Sequence, residues 1–190
     1  MIKDLIFATT NSQKFQDVKR YIDKLNPSII LHQTDLEILE PQSLDIKEIA
    51  IFKAKYAWEQ IKKPLIIDDG GIFIEKYNQF PGALSKWVFK GIGLDGIWLL
   101  AQENPKAYFQ STIAYIDGPD NVKLFSGIIT GKIVKPKQSV QNLIMPYTEI
   151  FMPDGTDKVY AELKHTIDEN KYNHRYKATE ELVKWFNSHN

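Results

Sequence analysis

The chain has 190 residues, of which 43% are hydrophobic and 12% aromatic, enough to bury a core in one domain or in two lobes. Because 24 Lys and Arg residues balance 24 Asp and Glu residues, the zero net charge argues against nucleic-acid binding through a bulk basic excess. The lack of cysteine excludes disulfides, thiol nucleophiles and cysteine metal sites. Without a membrane-length apolar run or a signal-peptide pattern, we expect a cytoplasmic protein that binds no membrane.

The first predicted unit is a strand, a polar loop and a helix. Residues 5–9 are an apolar strand, Asn11 or Ser12 is the predicted N-cap, and apolar residues then recur at helical spacing up to Leu25. Lys14 falls in the first helical turn, where the helix dipole disfavours a cation. Either Lys14 is a solvated side chain on an ordinary capped helix, or it faces a bound anion such as phosphate.

A second strand is predicted at residues 29–31, followed by an acidic stretch at 35–45 and a helix that includes residues 49–61. Lys53 lies on the apolar stripe of this helix. Its ammonium either reaches the surface along the edge of the stripe or points into a pocket for an anion.

Two adjacent acids mark the centre of the chain. Asp68 and Asp69 follow the buried strand predicted at residues 65–67, and Gly70 and Gly71 separate them from a further apolar run at 72–74. Neighbouring buried carboxylates repel unless a cation or a proton intervenes. Mg²⁺ held by carboxylates and phosphates is one solution. An acidic turn, with Asp bonded to nearby backbone, is the alternative.

The second half of the chain predicts a long β-hairpin between short helices. The predicted elements, in order, are a turn at 80–82 with a short helix after it, a second short helix at 97–103, strands at 107–117 and 122–134, a loop at 135–146, a strand at 149–151, a turn at 153–155 and a short segment at 160–163. A last helix begins near Asn173, so His174 and Arg175 lie in its first turn. A bound anion would explain basic residues there, but Arg175 could instead pair with an acid and His174 could be structural.

Several motifs occur together and in a fixed order. They are 7–14 (FATTNSQK), 40–43 (EPQS), 48–54 (EIAIFKA), 68–72 (DDGGI), 80–87 (FPGALSKW), 151–155 (FMPDG), 161–162 (AE) and 173–178 (NHRYKA). Nearly end to end, this series resembles the inosine triphosphate pyrophosphatase family, whose members hydrolyse triphosphates of deaminated purines such as ITP, dITP and XTP.

The resemblance implies a fold, an assembly and a reaction. The expected fold is α/β, with a long central mixed β-sheet and flanking helices that form two lobes around a cleft within a single domain, 1–190. The expected assembly is a homodimer. The expected reaction is Mg²⁺-dependent cleavage between the α and β phosphates of a nucleoside triphosphate, which releases the monophosphate and pyrophosphate.

The resemblance also assigns roles to individual residues. Asp69 is the expected base or water-positioning acid, and Glu40 and Asp68 support it as further catalytic acids; all three are the expected metal ligands. The expected substrate-binding residues are Thr9, Thr10, Asn11, Lys14, Lys53, Ser85, Lys86, Tyr147, Thr148, His174 and Arg175.

Departures from the family pattern concentrate in the base-reading segment. Residues 144–149 (IMPYTE) stand where the family has G-F-G-(Y/W)-D-P, so Met145 replaces a stacking phenylalanine and Thr148 replaces an aspartate. Glu169 stands where the family often has a lysine, unless Lys171 compensates. Thr10 and Asp68 replace a glycine and a glutamate. Two alternatives therefore stay open: hydrolysis of a different or broader set of nucleotides, or a weakly active nucleotide-binding dimer.

Overall fold

The computed structural model describes residues 3–137 and 146–189. The strands are β1 (Lys3–Ala8), β2 (Ile29–Thr34), β3 (Leu65–Ile74), β4 (Pro81–Gly82), β5 (Lys106–Ile116), β6 (Val122–Ile133) and β7 (Phe151–Pro153). The α-helices are α1 (Ser12–Leu25), α2 (Ile46–Ile61), α3 (Ser85–Ala101), α4 (Tyr160–Leu163) and α5 (His174–Ser188). Short 3₁₀ turns occupy Glu75–Tyr77, Pro146–Glu149 and Glu169–Tyr172.

The chain divides into two compact units. The first unit contains Met1–Asp69, Ser111–Gly127 and Arg175–Asn190, and the second contains Gly70–Gln110 and Ile128–His174. In the first unit the strand order is β2-β1-β3-β5-β6, and β1 pairs in parallel with both β2 and β3. In the second unit β4 pairs antiparallel with β3, and β7 pairs antiparallel with β6. The sheet is therefore mixed, as predicted.

The first unit buries a separate apolar cluster on each face of its sheet. On one face, Ile66 packs in a cluster with Val18 of α1 and Leu182 of α5. On the other face, Leu65 and Ile67 pack with the alanines of α2. Successive side chains of a strand point to opposite faces, so β3 supplies both clusters from consecutive residues. The predicted helices thus flank the sheet on both sides.

The second unit has one apolar core of its own. Ile72 and Ile74 of β3 pack there with Leu94 and Ile97 of α3 and with Phe151 of β7. Phe109 of β5 contacts Phe151 edge to face, with ring centroids 4.5 Å apart. Edge-to-face contacts of this kind are favoured by the aromatic quadrupole.

Most predicted elements are confirmed to within a few residues at their ends. Asn11, rather than Ser12, caps α1, and its side chain accepts a hydrogen bond from the backbone N–H of Lys14 at 3.0 Å. The strands of the predicted hairpin are neighbours in the sheet, and the backbone N–H of Asn121 donates to the carbonyl of Gly118 in the turn. The prediction of a single domain over residues 1–190 stays a prediction.

The two short helices predicted after the turn at 80–82 and at 97–103 are parts of one kinked helix. Helix α3 begins at Ser85 and ends at Ala101, with a kink at Gly93, whose φ of 64° and ψ of −174° are not helical. A left-handed φ is tolerated by glycine because it has no Cβ. Leu94, Ile97 and Ala101 share one buried face, which explains why the helix extends before residue 97.

The strand predicted at residues 149–151 was also misplaced. Residues 146–149 form a 3₁₀ turn, and the strand begins only at Phe151, which pairs with Ile133. The backbone N–H of Ile150 donates to the carbonyl of Tyr147, so it is held in the turn. The part of the predicted loop at 138–145 lies outside the described residues.

The two acids at the centre of the chain lie within a strand rather than after one. Strand β3 continues through Asp68, Asp69, Gly70 and Gly71 to Ile74. A Cβ on Gly71 would lie 2.1 Å from the carbonyl oxygen of Gly82. The glycine therefore permits the close approach of β4 and lets the strand continue where the sequence indicated a break.

Candidate active site

The alternation of β3 directs its two acids to opposite faces of the sheet. Asp68 shares the face of Ile66, toward α1 and α5, and Asp69 shares the face of Ile67, toward α2. Each carboxylate therefore meets different partners, all of them within the first unit.

Asp68 is fully enclosed by hydrogen-bond donors. Its side chain is 0% exposed, its Oδ1 accepts from the hydroxyl of Ser111, and its Oδ2 accepts from Nε of Arg175 at 2.9 Å. Lys14 Nζ donates to the backbone carbonyl of Asp68 at 2.8 Å and lies 3.4 Å from Oδ2. Both carboxylate oxygens are thus engaged by the protein.

The charges around Asp68 and Arg175 favour the ionised form of both side chains. Burial by itself would raise the pKa of Asp68, but Arg175, Lys14 and the Ser111 hydroxyl together hold that pKa well below its usual range. Burial would lower the pKa of Arg175, yet the facing carboxylates of Asp68 and Asp17 raise it. The pairing of Arg175 with acids is one of the two alternatives that the sequence left open.

On the α2 face, one lysine bridges two acids. Lys53 Nζ lies 2.7 Å from Oδ1 of Asp69 and 3.0 Å from Oε1 of Glu40, and its side chain is only 12% exposed. Burial tends to lower the pKa of Lys53, but the two carboxylates raise it. Of its two predicted orientations, Lys53 therefore takes the inward one, with carboxylates as its partners.

One oxygen of the Asp69 carboxylate is without a hydrogen-bond partner in the described part of the chain. Its Oδ2 is buried and has no hydrogen-bond partner among residues 3–137 and 146–189. Desolvating a carboxylate oxygen without a partner is unfavourable, so this atom in the middle of β3 is a candidate contact for a ligand or an ion.

The structure brings Asp69 and Glu40 together but not all three predicted metal ligands. Within the described ranges, no group of three or more His, Asp or Glu side chains is arranged to hold a metal ion. The carboxylates of Asp69 and Glu40, which share Lys53 as a partner, fit Mg²⁺, which prefers oxygen ligands and commonly takes one or two carboxylates from the protein. The oxygens of Asp68 already accept from Ser111 and Arg175.

The loop before α1 holds itself in place through short-range hydrogen bonds. Thr9 Oγ1 accepts from the backbone N–H of Asn11 at 3.1 Å, and the Asn11 side chain caps the helix. Thr10 and Asn11 are exposed. The predicted phosphate contacts of these residues remain predictions, and the position of the loop at a helix N-terminus is favourable for an anion.

In the second unit, Ser85 and Tyr147 form a buried hydrogen-bonded pair. Ser85 Oγ accepts from the N–H of Ile72 at 2.9 Å and donates to the carbonyl of Gly82 at 2.6 Å. Tyr147 donates its hydroxyl to the carbonyl of Ser85 at 2.7 Å. These bonds tie the 3₁₀ turn to the start of α3. Lys86, by contrast, is exposed, with its Nζ 5.3 Å from the ring centre of Trp87.

The remaining predicted substrate contacts of the second unit are also buried. Thr148 is 7% exposed and His174 is 4% exposed, with the His174 ring stacked on Phe109 at 4.8 Å. Glu169, which replaces a family lysine, accepts from the N–H of His165 at 2.9 Å and closes a local turn. Met145 and Ile144 lie outside the described residues.

Sequence reasoning missed two residues of the charged group. Asp17 Oδ2 lies 3.7 Å from Nη1 of Arg175, and Ser111 donates to Asp68. Ser111 carries no sequence signal, because its partner is 43 residues away. Asp17 does carry one: it lies one helical turn after Lys14, which places the two side chains on the same face of α1.

The fold and the buried charged groups first indicate the class of protein to which this chain belongs. A mixed α/β fold with buried, strongly perturbed ionisable groups around one strand is typical of enzymes, because shifted pKa values cluster at catalytic sites. Solved structures support the fold. The Staphylococcus aureus Ham1 protein matches with a TM-score of 0.75 over 99% of this chain and 100% of that chain, at 21% identity. A Ham1 protein from Coxiella burnetii matches with a TM-score of 0.76 over 98% and 99%, at 22% identity.

The family follows from the sequence itself. The model of the Ham1 family matches residues 5–185, and this chain belongs to that family. A Methanopyrus kandleri protein named dITP/XTP pyrophosphatase is 36% identical over 96% of this chain and 95% of its own length. A Scheffersomyces stipitis protein named inosine triphosphate pyrophosphatase is 35% identical over 93% of this chain and 94% of its own length. The resemblance drawn from the motifs is confirmed.

Proposed function

We propose that this chain hydrolyses dITP, XTP and ITP to the corresponding monophosphate and pyrophosphate. Support comes from Ham1 family membership over residues 5–185 and from near full-length relatives that carry these substrates in their names. The structural observation that carries the mechanism is the group formed by Glu40, Lys53 and Asp69, in which one buried carboxylate oxygen has no partner in the described part of the chain.

In this mechanism Asp69 is the general base. Lys53 occupies Oδ1 of Asp69, so Oδ2 is the oxygen that can accept a proton from water. The water oxygen attacks one phosphorus atom of the α–β linkage, the bond from that phosphorus to the bridging oxygen breaks, and the monophosphate and pyrophosphate separate. The proton lost by the water goes to Asp69 Oδ2.

The metal in this proposal is Mg²⁺, which Glu40 and Oδ1 of Asp69 would hold in place of the Lys53 ammonium, so that Oδ2 of Asp69 stays available as the base. Bound Mg²⁺ would neutralise phosphate charge and lower the pKa of a bound water. Lys53 and Lys14 supply positive charge beside the two strand acids, and we propose that they also contact phosphate oxygens. The substrate contacts predicted for Thr9, Thr10, Asn11, Arg175 and the residues of the second unit remain predictions, as does a metal role for Asp68.

The direct test is product analysis with a panel of nucleotides. Pyrophosphate and orthophosphate release are measured for ITP, XTP, dITP, dUTP and the four standard triphosphates with Mg²⁺ and with EDTA. We expect pyrophosphate, rather than orthophosphate, from ITP, dITP and XTP. Equal turnover of all nucleotides would favour the broader-substrate alternative, which the replacement of a family aspartate by Thr148 raises. Orthophosphate as the first product, or no turnover at all, would contradict the proposal.

The role of Asp69 is tested by a matched pair of substitutions. Asp69→Asn keeps the shape of the side chain but removes its basicity, and we expect pyrophosphate release to fall by at least about a hundredfold. Asp120→Asn makes the same chemical change at a side chain that is 95% exposed in the hairpin turn, and should leave turnover unchanged. Circular dichroism of both variants verifies folding. Full activity of Asp69→Asn would remove Asp69 from the mechanism.

A further inference from the structure

Helix α1 carries a buried carboxylate to which neither the motifs nor the proposed reaction assigns a role. Asp17 is 3% exposed, although it lies on a helix with ample solvent-facing positions. Its Oδ1 accepts from Nε2 of Gln13 at 3.2 Å and lies 3.5 Å from Nη2 of Arg20. Its Oδ2 faces Nη1 of Arg175 at 3.7 Å. A buried carboxylate requires such partners, because its desolvation is otherwise unfavourable.

Arg175 joins Asp17 to the strand acid Asp68. Its side chain is 4% exposed, Nε donates to Asp68 Oδ2 at 2.9 Å, and Nη1 faces Asp17 Oδ2. The guanidinium group is planar and rigid, so a contact at one end constrains the direction of the N–H groups at the other. Asp17 thereby helps to aim Nε of Arg175 at Asp68.

The same set of contacts returns to α1 through Lys14. Lys14 lies one helical turn before Asp17 in α1, and its ammonium donates to the backbone carbonyl of Asp68. Acids and cations alternate in the order Asp17, Arg175, Asp68 and Lys14, and Arg20 adds a further cation beside Asp17. The carbonyl that accepts from Lys14 belongs to the peptide bond between Asp68 and Asp69, so the network fixes the backbone that carries the proposed base.

We propose that Asp17 is a positioning residue for the reaction. It holds the Arg175 guanidinium, which fixes Asp68 and the peptide that directs Asp69 toward Lys53 on the opposite face. This inference rests on the proposed function, in which Asp69 accepts the proton. Because small misplacements of a catalytic group can reduce the rate by as much as about a hundredfold, Asp17 is expected to affect turnover more than substrate binding.

The test compares two carboxylates of the same helix. Asp17→Asn removes the buried charge, whereas Asp23→Asn removes an exposed one that pairs with Lys19 at 2.8 Å. We expect Asp17→Asn to lower kcat for ITP by at least about tenfold with KM changed by less than about twofold. Asp23→Asn should leave both constants unchanged. Asp17→Glu keeps the charge, and the 3.7 Å separation leaves room for adjustment, so it should recover most of the lost kcat.

A second measurement tests the contacts among Asp17, Arg175 and Asp68 in the absence of nucleotide. In ¹H–¹⁵N spectra, the Nε–H of Arg175 reports its bond to Asp68, and its exchange with water should be slow because the group is buried. We expect Asp17→Asn to speed this exchange at least tenfold and to shift the amide resonance of Asp69. Asp23→Asn should change neither. A purely structural role would lower the melting temperature yet leave kcat per folded molecule and the Asp69 resonance unchanged.

The outcomes separate this proposal from the proposed function. If the unaltered protein releases no pyrophosphate but Asp17→Asn alters the Arg175 and Asp69 resonances, the network stands and the proposed reaction fails. If the unaltered protein is active and Asp17→Asn retains its kcat, or if Asp17→Glu is as impaired as Asp17→Asn, the positioning role of Asp17 is overturned.

Discussion

At the scale of single residues, two neighbouring aspartates do different work because they lie in a strand. Both oxygens of Asp68 accept a hydrogen bond, from Ser111 and from Arg175, whereas Asp69 keeps one oxygen without a partner in the described residues. A buried carboxylate that is fully bonded orients its surroundings, and one with an unused lone pair can accept a proton. The same residue type thus serves structure at one position and chemistry, as we propose, at the next.

The first residue-scale prediction concerns stability. Asp68→Asn leaves the Arg175 guanidinium buried with only the more distant Asp17 as its counter-charge, and breaking a buried ion pair from one side typically destabilises by about 3 to 5 kcal/mol. We expect the free energy of unfolding in urea to fall by about that amount. Asp120→Asn should change it by less than about 0.5 kcal/mol. Equal stability of the two variants would mean that the buried pair is not maintained in solution.

The second residue-scale prediction concerns pH. The folded pKa of Asp68 lies below its unfolded value of about 3.9, so its contribution to stability is present above that pH and is lost as pH falls through the folded pKa. The stability difference between the unaltered protein and Asp68→Asn should therefore be constant at pH 5 to 7 and shrink below about pH 4. Urea unfolding at several pH values measures it. A difference that grows in acid would contradict the assigned direction.

The third residue-scale prediction concerns stability at alkaline pH, to which Lys53 contributes. Its folded pKa is raised above the unfolded value of about 10.4, so its contribution is present below that pH and is lost as pH rises through the folded pKa. The stability difference between the unaltered protein and Lys53→Met should therefore be constant at about pH 7 to 9 and begin to shrink only above about pH 10.4. Urea unfolding between pH 7 and 11 checks this, with Lys62→Met, an exposed lysine that pairs with Glu59, as the control.

At the scale of elements, Gly71 allows β3 to continue as one regular strand beyond its two acids. Gly71 lets the carbonyl of Gly82 approach, and Ser85 then bonds both β3 and β4 through its hydroxyl. The acids consequently stay in a regular strand, with alternate faces, instead of converging in a loop. Strand geometry thereby determines which cation each acid meets.

Two glycine substitutions test whether Gly71 is needed for the close approach of β4 to β3. Gly71→Ala places a Cβ against the Gly82 backbone, and we expect a loss of about 3 kcal/mol or more because backbone cannot yield as a side chain can. Gly91→Ala, in α3, meets nothing within 4 Å and should stabilise the helix by about 0.5 to 1 kcal/mol. Thermal unfolding of both variants measures the contrast. A neutral Gly71→Ala would show that β4 does not approach β3 as described.

At the scale of the whole molecule, metal binding should appear as added stability. Mg²⁺ that binds only the folded state stabilises it by mass action, by about 2.7 kcal/mol at a hundred times its dissociation constant. We expect Mg²⁺ to raise the melting temperature relative to EDTA. Asp69→Asn should abolish this increase, and Lys53→Met should enlarge it, because the ammonium no longer competes for Asp69 and Glu40. An undiminished increase in Asp69→Asn would place the metal elsewhere.

The predicted assembly and location are further matters of the whole molecule. A homodimer is predicted from the family resemblance, so light scattering coupled to size exclusion should give about twice the mass of one chain. A monomer at micromolar concentration would contradict that prediction. No helix in the described part of the chain has both the length and the apolar character needed to cross a bilayer. The cytoplasmic location remains a prediction.

Much of the fold could be predicted from local patterns in the sequence. Apolar periodicity located α1, α2, α5 and both hairpin strands, because each pattern is set by residues only a few positions apart. It divided α3 into two short helices, because Gly91, Gly93 and Gly96 interrupt the apolar pattern in the middle of the helix, and it misplaced the strand at 149–151, because the amide of Ile150 donates to the carbonyl of Tyr147 in the preceding turn. Both failures involve a contact or a backbone angle that periodicity does not encode.

The sequence by itself determined the family, the reaction class and the residue types of the site, because the motifs and their order are local features of the chain. Only the tertiary structure decided which charges meet. Asp17, Asp68 and Arg175 are far apart in sequence, and they pair because β3 directs Asp68 toward α1 and α5 while it directs Asp69 toward Lys53. The physical reason is the two-residue period of a strand, which assigns adjacent side chains to opposite faces only once the strand is known to continue.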